Sequence, residues 1–432
     1  DLQARVIVAA ESLLPVVDKV RAQTALQHVF VVRYAELLPE APAIDVPAEL
    51  LALRAAAAPA PAGCEDFLAT VRAGGSPAPV QIAMDDVALM TYTSGTTGLP
   101  KGAMLTYGNA LFKTAAAAQC NGVRSDDVLL SVAPLYHIAG MVMGVNVPVF
   151  TGATSVLMYR FDPLGVAQAL ERHRVGWWYS IAPMNAALMQ VPGLRERDLT
   201  ALRMNPVTSF GITLTEALAQ QWKQFAPNCA SFEASYGLSE THTVDTSMPH
   251  DAIRWGTQGK AVPGNEIRII DPETGATLPP GEMGEITVRG PGNFKGYWNK
   301  PEATAQTLRN GWVHTGDMGK LDADGYLTFT GRFKEMIKVS GYSVFPEEVE
   351  AILCKHPAVA QAAVIGVPDA DKGEVVRAFI VKKPGQDVDA AALLQWAREN
   401  MAPYKAPREL RFIDALPSTG AGKVLRRMLK EE

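Results

Sequence analysis

The densest run of chemically useful side chains is Tyr92-Thr93-Ser94-Gly95-Thr96-Thr97-Gly98-Leu99-Pro100-Lys101-Gly102, with four hydroxyls, three glycines and a lysine between Thr93 and Gly102. Glycine lets successive main-chain N–H groups turn inward without a Cβ in the way, which makes a concave anion nest. The hydroxyls of Thr93, Ser94, Thr96 and Thr97 add donors, and Lys101 adds a point charge suited to phosphate. An ordinary Ser/Thr/Gly turn is the plainer alternative, but such turns rarely gather this many donors. The register G-x-x-x-x-G-K-[ST] occurs neither here nor elsewhere, so a Walker-type loop is excluded.

The surrounding pattern must hold that loop in place. An apolar run from Val87 to Met90 precedes it, and the pattern predicts strand, glycine-rich loop and helix. Further helices are expected at Glu11 to Gln27, Tyr107 to Cys120, Pro163 to His173 and Thr215 to Phe225. Strands are expected at His28 to Val32, Val128 to Val132, Thr154 to Met158 and Gly176 to Ile181. Pro39 to Gly63 is Ala/Pro-rich and predicts a surface excursion with little packing of its own. The apolar stretch Ile138 to Met158 carries Gly, Pro, Asn and Thr and predicts buried strands and turns rather than a membrane span. Beyond Gly256, short β runs between Pro/Gly turns predict a β-barrel-like subdomain. After Gly331 a compact α+β unit follows. The reading is an α/β protein: a large domain 1–331 of layered sheets and helices, β-rich from about 256, a hinge 332–334 and a small mobile domain 335–432.

Forty Lys and Arg against 45 Asp and Glu leave a net charge of −5, which argues against nucleic acid as the main partner. The four cysteines, Cys64, Cys120, Cys229 and Cys354, form no C-x-x-C pair. A disulfide framework or structural zinc is therefore not expected, and a reducing cytoplasm fits. Asp1-Leu2-Gln3 runs at once into a strand pattern, as the middle of an α/β domain does.

The loop is followed in order by Pro134-Leu135-Tyr136-His137, Tyr236-Gly237-Leu238-Ser239-Glu240-Thr241, His314-Thr315-Gly316-Asp317, Gly331 to Lys338 and Pro417 to Lys423. This set resembles the signature of the adenylate-forming superfamily: acyl- and aryl-CoA synthetases, luciferases and adenylation domains of peptide synthetases. The likeness spans Thr91 to Arg427 and is nearest to fatty-acid–CoA ligases. It implies an ATP-dependent ligation in two halves, in which a carboxylic acid becomes acyl-AMP and then an acyl-CoA thioester. ATP, Mg²⁺ and coenzyme A are the implied cofactors and co-substrates, and a homodimer is left open.

The resemblance also implies residue roles. Lys101 and the Thr93 to Gly98 loop would take the phosphates, and Glu240 with an oxygen of Thr93 would hold Mg²⁺. A lone carboxylate suits that ion, which keeps waters and borrows phosphate oxygens. Gly211, Ile212 and Thr213 would face Glu233-Ala234-Ser235-Tyr236-Gly237 across the adenine, with Tyr236 as a stacking ring and Leu238 and Ser239 continuing the segment. Asp317 would accept the ribose hydroxyls, with Arg332 as a second ribose contact. Lys334 would be the hinge pivot, with a plain helix charge as the alternative. Lys423 would bridge carboxylate and phosphate during adenylation, and Lys338 and Gly341 would approach for coenzyme A.

His137, Met184 and Gly211 would line an apolar acyl pocket. His137 would touch the carboxylate or gate the pocket, against the alternative of a satisfied core histidine. No acid lies between Ser131 and Phe161, which disfavours an amino-acid substrate, and Ser235 where malonate-type ligases have arginine disfavours a diacid. The chain departs from the family at Ser209-Phe210-Gly211-Ile212-Thr213-Leu214, so a narrower or reshaped pocket is expected. Trp177-Trp178 reads as core packing, and His242 has no family reading. The runners-up are an acyl-AMP ligase that loads a carrier protein and a non-catalytic nucleotide-binding relative or fragment. The family also implies a further N-terminal stretch completing the large domain.

Overall fold

The computed structural model describes residues 2–55, 59–93, 100–209, 213–369, 371–418 and 424–430. Two compact units result, Asp1–Ala83 with Leu164–Gln168, and Met84–Pro163 with Ala169–Glu432. In the first unit, Val6–Ala10, His28–Val32 and Glu65–Asp66 make a parallel sheet over a core of Ala9, Leu14, Val17, Val29 and Val31. The expected long first helix is cut to a 3₁₀ turn Glu11–Leu13 and a helix Leu14–Arg21. It ends in a turn where the N–H of Thr24 reaches the carbonyl of Arg21. Inside the expected Ala/Pro excursion, Ala48–Ala55 is helical and buries Leu50, because Ala and Leu favour helix once one apolar side has a partner.

The larger unit is built on a parallel sheet in the order Ala230–Glu233, Met204–Thr208, Trp177–Trp178, Val128–Ser131, Thr154–Leu157, with Ser180–Ile181 also pairing Met204–Thr208. Trp177 and Trp178 are buried in it as core residues. Helix Tyr107–Cys120 starts on a capping box in which Thr106 and Asn109 satisfy each other's main-chain N–H groups. A five-stranded antiparallel sheet follows, ordered Glu266–Ile270, Gly284–Arg289, Trp312–Leu321, Leu308–Arg309, with Leu327–Arg332 on the other flank of Trp312–Leu321.

The last sheet joins Tyr342–Val344, Ile337–Val339, Gly373–Lys382 and Val359–Asp369, with Glu409–Phe412 parallel to Gly373–Lys382. Helices Pro346–Leu353 and Ala390–Asn400 contribute to its core, through Val349, Leu353, Leu393 and Ala397. All four cysteines are free thiols, and no helix among the described residues is long and apolar enough to cross a membrane.

Two sequence expectations fail here for physical reasons. Ile138 to Met158 is mostly helical: Ile138–Met141, a π-helical Val142–Asn146 and Val147–Thr151 precede the strand Thr154–Leu157. Gly140 and Gly144 serve close approach, and only Gly152, left-handed at φ +76°, turns the chain at a helix end. A Cβ on Gly140 would stand 2.1 Å from the carbonyl oxygen of Pro134, and one on Gly144 2.1 Å from the Ser131 hydroxyl. Pro148 falls in a first helical turn, where its missing N–H costs little. The second is the omission of a strand between the glycine-rich loop and the expected helix. The loop joins two antiparallel strands, Val87–Thr93 and Lys101–Thr106. Within Lys101–Thr106 four of six residues are buried, Ala103 and Leu105 fully, as in a strand covered on both faces, and the helix begins where the sequence places it, at Tyr107.

Candidate active site

Strand Lys101–Thr106 is flanked by Val87–Thr93 on one side and by Gly296–Tyr297 on the other. Thr93 stands opposite Lys101, and Tyr297 opposite Ala103. That register brings the Lys101 ammonium 4.3 Å from the centre of the Tyr297 ring. The Tyr297 hydroxyl donates to Glu240 Oε1 at 2.6 Å. Glu240 lies in the 3₁₀ turn Ser239–Thr241, whose position is fixed from the backbone as well: the N–H of Phe294 donates to the Glu240 carbonyl at 2.8 Å. Burial, and then the Glu240 charge, raise the Tyr297 phenol well above its ordinary range, so it stays a proton donor. Ser94, Gly95, Thr96, Thr97 and Gly98 lie outside the described residues.

A second group forms on the five-stranded antiparallel sheet. Asp317 and Arg332 are register partners on Trp312–Leu321 and Leu327–Arg332, and Arg332 Nε comes within 3.1 Å of Asp317 Oδ1. The Tyr236 hydroxyl donates to Asp317 Oδ2 at 2.8 Å. The Tyr236 ring is packed with Ile269, Ile286, Val288 and Leu327 and lies 6.0 Å from the Phe329 ring, so most of its surface is already covered. Burial opposes the Arg332 charge, but Asp317, Glu335 and Glu240 raise its pKa on balance. Arg332 is thus paired with Asp317, with Glu240 a smaller influence on its charge.

Glu233 closes strand Ala230–Glu233 and is buried. Its carboxyl accepts from the N–H of Ser209 at 3.1 Å and from the Ser209 hydroxyl. Burial raises its pKa to about 7, against the lowering effect of both Ser209 bonds. Beside Ala234 and Ser235 lies a small cavity lined also by Asn121, Met143, Tyr179 and Thr243, a mixed polar and apolar wall. His137 and Met184 are not among its lining. His137 caps helix Ile138–Met141, its Nδ1 accepting from the N–H of Ala139 at 3.3 Å, and Met184 sits half-buried on Ala182–Leu188.

Gly237 is exposed and Leu238 and Ser239 half-buried, while Thr213 is exposed. Gly211, Ile212 and Lys423 lie outside the described residues. Lys334 is exposed in the 3₁₀ turn Phe333–Glu335. Lys338 bonds Ser343 across a hairpin at 3.0 Å, and Gly341 turns that hairpin at φ +86° with open space around it.

The AMP-binding enzyme signature matches residues 1–298, and the signature of the AMP-binding enzyme C-terminal domain matches residues 348–423. The chain belongs to the AMP-binding enzyme family. It is 38% identical over 352 residues to the feruloyl-CoA synthase of Amycolatopsis sp, covering 81% of this chain and 70% of the relative. It is 36% identical over 354 residues to the long-chain-fatty-acid–CoA ligase of Bacillus subtilis (strain 168), covering 80% and 62%. Among solved structures, ATP-bound MatB from Rhodopseudomonas palustris superimposes with a TM-score of 0.84 at 31% identity, over 100% of this chain and 79% of that one. The fold is accordingly that of the adenylate-forming enzymes, with a large N-terminal and a small C-terminal domain.

One residue of this AMP-binding enzyme's site was not legible beforehand. Tyr297 lies far along the chain from Lys101 and Glu240, in a Gly296-Tyr297 pair too short to read as a strand. Its only signal is an aromatic beside glycine after a Pro/Gly turn.

The donors here suit Mg²⁺. Glu240 offers one carboxylate whose Oε1 is already steadied by Tyr297, and no cluster of three or more His, Cys, Asp or Glu occurs among the described residues. Such a sparse set fits an ion that relies on waters and substrate phosphates.

Proposed function

We propose that this chain is an AMP-forming acid–thiol ligase that activates an apolar carboxylic acid, a fatty acid in the first instance, and passes it to coenzyme A. The observation carrying the reading is the convergence of Lys101 and Glu240 on Tyr297, with Arg332 paired with Asp317. On this reading Lys101 would be the cation for phosphate, Glu240 the carboxylate for a metal and Asp317 the carboxylate for a diol.

In the first half, a substrate carboxylate oxygen would bond to the α-phosphorus of ATP as the bond to pyrophosphate breaks. Lys101 and the Thr93 to Gly98 loop would hold the phosphates, and Glu240 with Thr93 would hold Mg²⁺. The bound ion would neutralise charge on the phosphate oxygens. Asp317, oriented by Tyr236 and Arg332, would accept the ribose hydroxyls. In the second half, the coenzyme A thiolate would bond to the acyl carbon and AMP would leave. Between the halves, the small domain 335–432 would turn about Lys334, exchanging Lys423 for Lys338 and Gly341 at the large domain 1–331.

The 36% identity to a long-chain-fatty-acid–CoA ligase supports an apolar acid. A second reading, an aryl-propenoic acid, is favoured by the 38% identity to a feruloyl-CoA synthase. Both are tested by pyrophosphate release with octanoate, palmitate and ferulate, then thioester formation with coenzyme A or a carrier protein. Release with fatty acids and transfer to coenzyme A is the expected result. Preference for ferulate would replace the fatty-acid reading with the aryl one, and no release with any acid would refute catalysis.

A further inference from the structure

His242, Thr243 and Val244 follow the Glu240 turn directly, and all three are left-handed, with φ of +57°, +56° and +46°. For β-branched Thr243 and Val244 this conformation is a true outlier, held only where surroundings over-determine it. The surroundings are a fully buried ion pair. Lys113, on helix Tyr107–Cys120, reaches Asp245 Oδ1 at 2.6 Å and the Val244 carbonyl at 3.0 Å, with both charged side chains at 0% exposure. Asp245 also accepts from the Thr241 hydroxyl and from Asn265 Nδ2, the latter at 3.0 Å. Gly292 and Gly237 make room for the knot. A Cβ on Gly292 would stand 2.1 Å from Lys113 Cε, and one on Gly237 2.6 Å from the Val244 nitrogen.

We infer that Lys113 and Asp245 are positioning residues for Glu240: the buried pair pins the end of the strained segment, and through Thr241 it fixes where the Glu240 carboxylate points. A buried ion pair is poor value as bulk stabilisation, since apolar groups of similar volume often serve as well. One that holds a strained turn next to a metal-type carboxylate has a positional use. The inference rests on the reading of Glu240 as the magnesium residue.

The test is the double variant Lys113→Met with Asp245→Asn, which removes both charges at nearly constant volume and leaves no lone buried charge. In the folded variant, the magnesium concentration giving half-maximal pyrophosphate release should rise about tenfold to a hundredfold, as for lost outer-sphere partners of a metal ligand. Thioester formation from supplied acyl-AMP should stay near wild type. The extra rise in Tm that Mg²⁺ adds to ATP alone should shrink. Should the double variant not fold, Thr241→Val removes the hydroxyl, with its bonds to Asp245 and Leu238, and should show the same split.

An unchanged magnesium requirement, or equal loss in both half-reactions, overturns the inference. Glu240→Gln run alongside separates the two layers. A defect there with an unchanged requirement in the double variant sinks the inference alone, whereas normal pyrophosphate release in Glu240→Gln sinks the magnesium reading and the inference together.

Discussion

Tyr297 serves two charged groups at once, through different parts of one side chain. Its ring lies under the Lys101 ammonium and its hydroxyl donates to Glu240. Tyr297→Phe keeps the ring and deletes the donor, so it isolates the second function. A hydrogen bond to a charged acceptor contributes about 1.5–3 kcal/mol, so pyrophosphate release should fall about tenfold to a hundredfold, with little change in Tm. Tyr297→Leu should fall further, because Lys101 then loses its aromatic support. A Phe variant as active as the parent would show that Glu240 is held by other contacts.

The segment after Glu240 stores an acid sensitivity. His242 is fully buried with neither ring nitrogen hydrogen-bonded, and burial, followed by the Lys113 charge, lowers its pKa from 6.5 to about 4. The fold therefore favours neutral imidazole. Below pH 6.5 the unfolded chain takes up a proton that the folded chain refuses, so this stability is present above 6.5 and is lost as pH falls towards 4. Its full size is up to about 3 kcal/mol. His242→Asn, which tolerates a left-handed φ, should flatten that part of the stability–pH curve in urea unfolding between pH 7 and 4. Glu233 and Glu347, each raised to about 7, act in the opposite sense and are common to both chains. An acid limb as steep in the variant as in the parent would place the sensitivity elsewhere.

Across the whole molecule, the two half-reactions should separate by domain. Lys423→Ala should slow acyl-AMP formation by about 10²–10³, the cost of one preorganised donor, while supplied acyl-AMP still reacts with coenzyme A near the normal rate. Equal damage to both would make Lys423 structural. Three residues further on, Arg426 pairs with Glu335, Glu347 at 3.0 Å and Glu350 at 2.9 Å. Helix Arg426–Leu429 is therefore tied to the turn that carries Lys334.

What could be read in one dimension was local. The donor-rich loop, the lone Glu240, the Thr315-Gly316-Asp317 triplet and helix Tyr107–Cys120 are contiguous patterns, and contiguity is what a sequence displays. The family follows from their order. Three things required the tertiary structure, because each is a meeting of distant segments. Antiparallel pairing set Tyr297 beside Lys101 and Glu240. Close backbone approach turned Gly140 and Gly144 from apparent turn signals into helix contacts. The burial of Lys113 against Asp245 made a surface-type lysine into the anchor of a strained turn, and desolvation, which depends on everything packed around a charge, is a property no local spacing encodes.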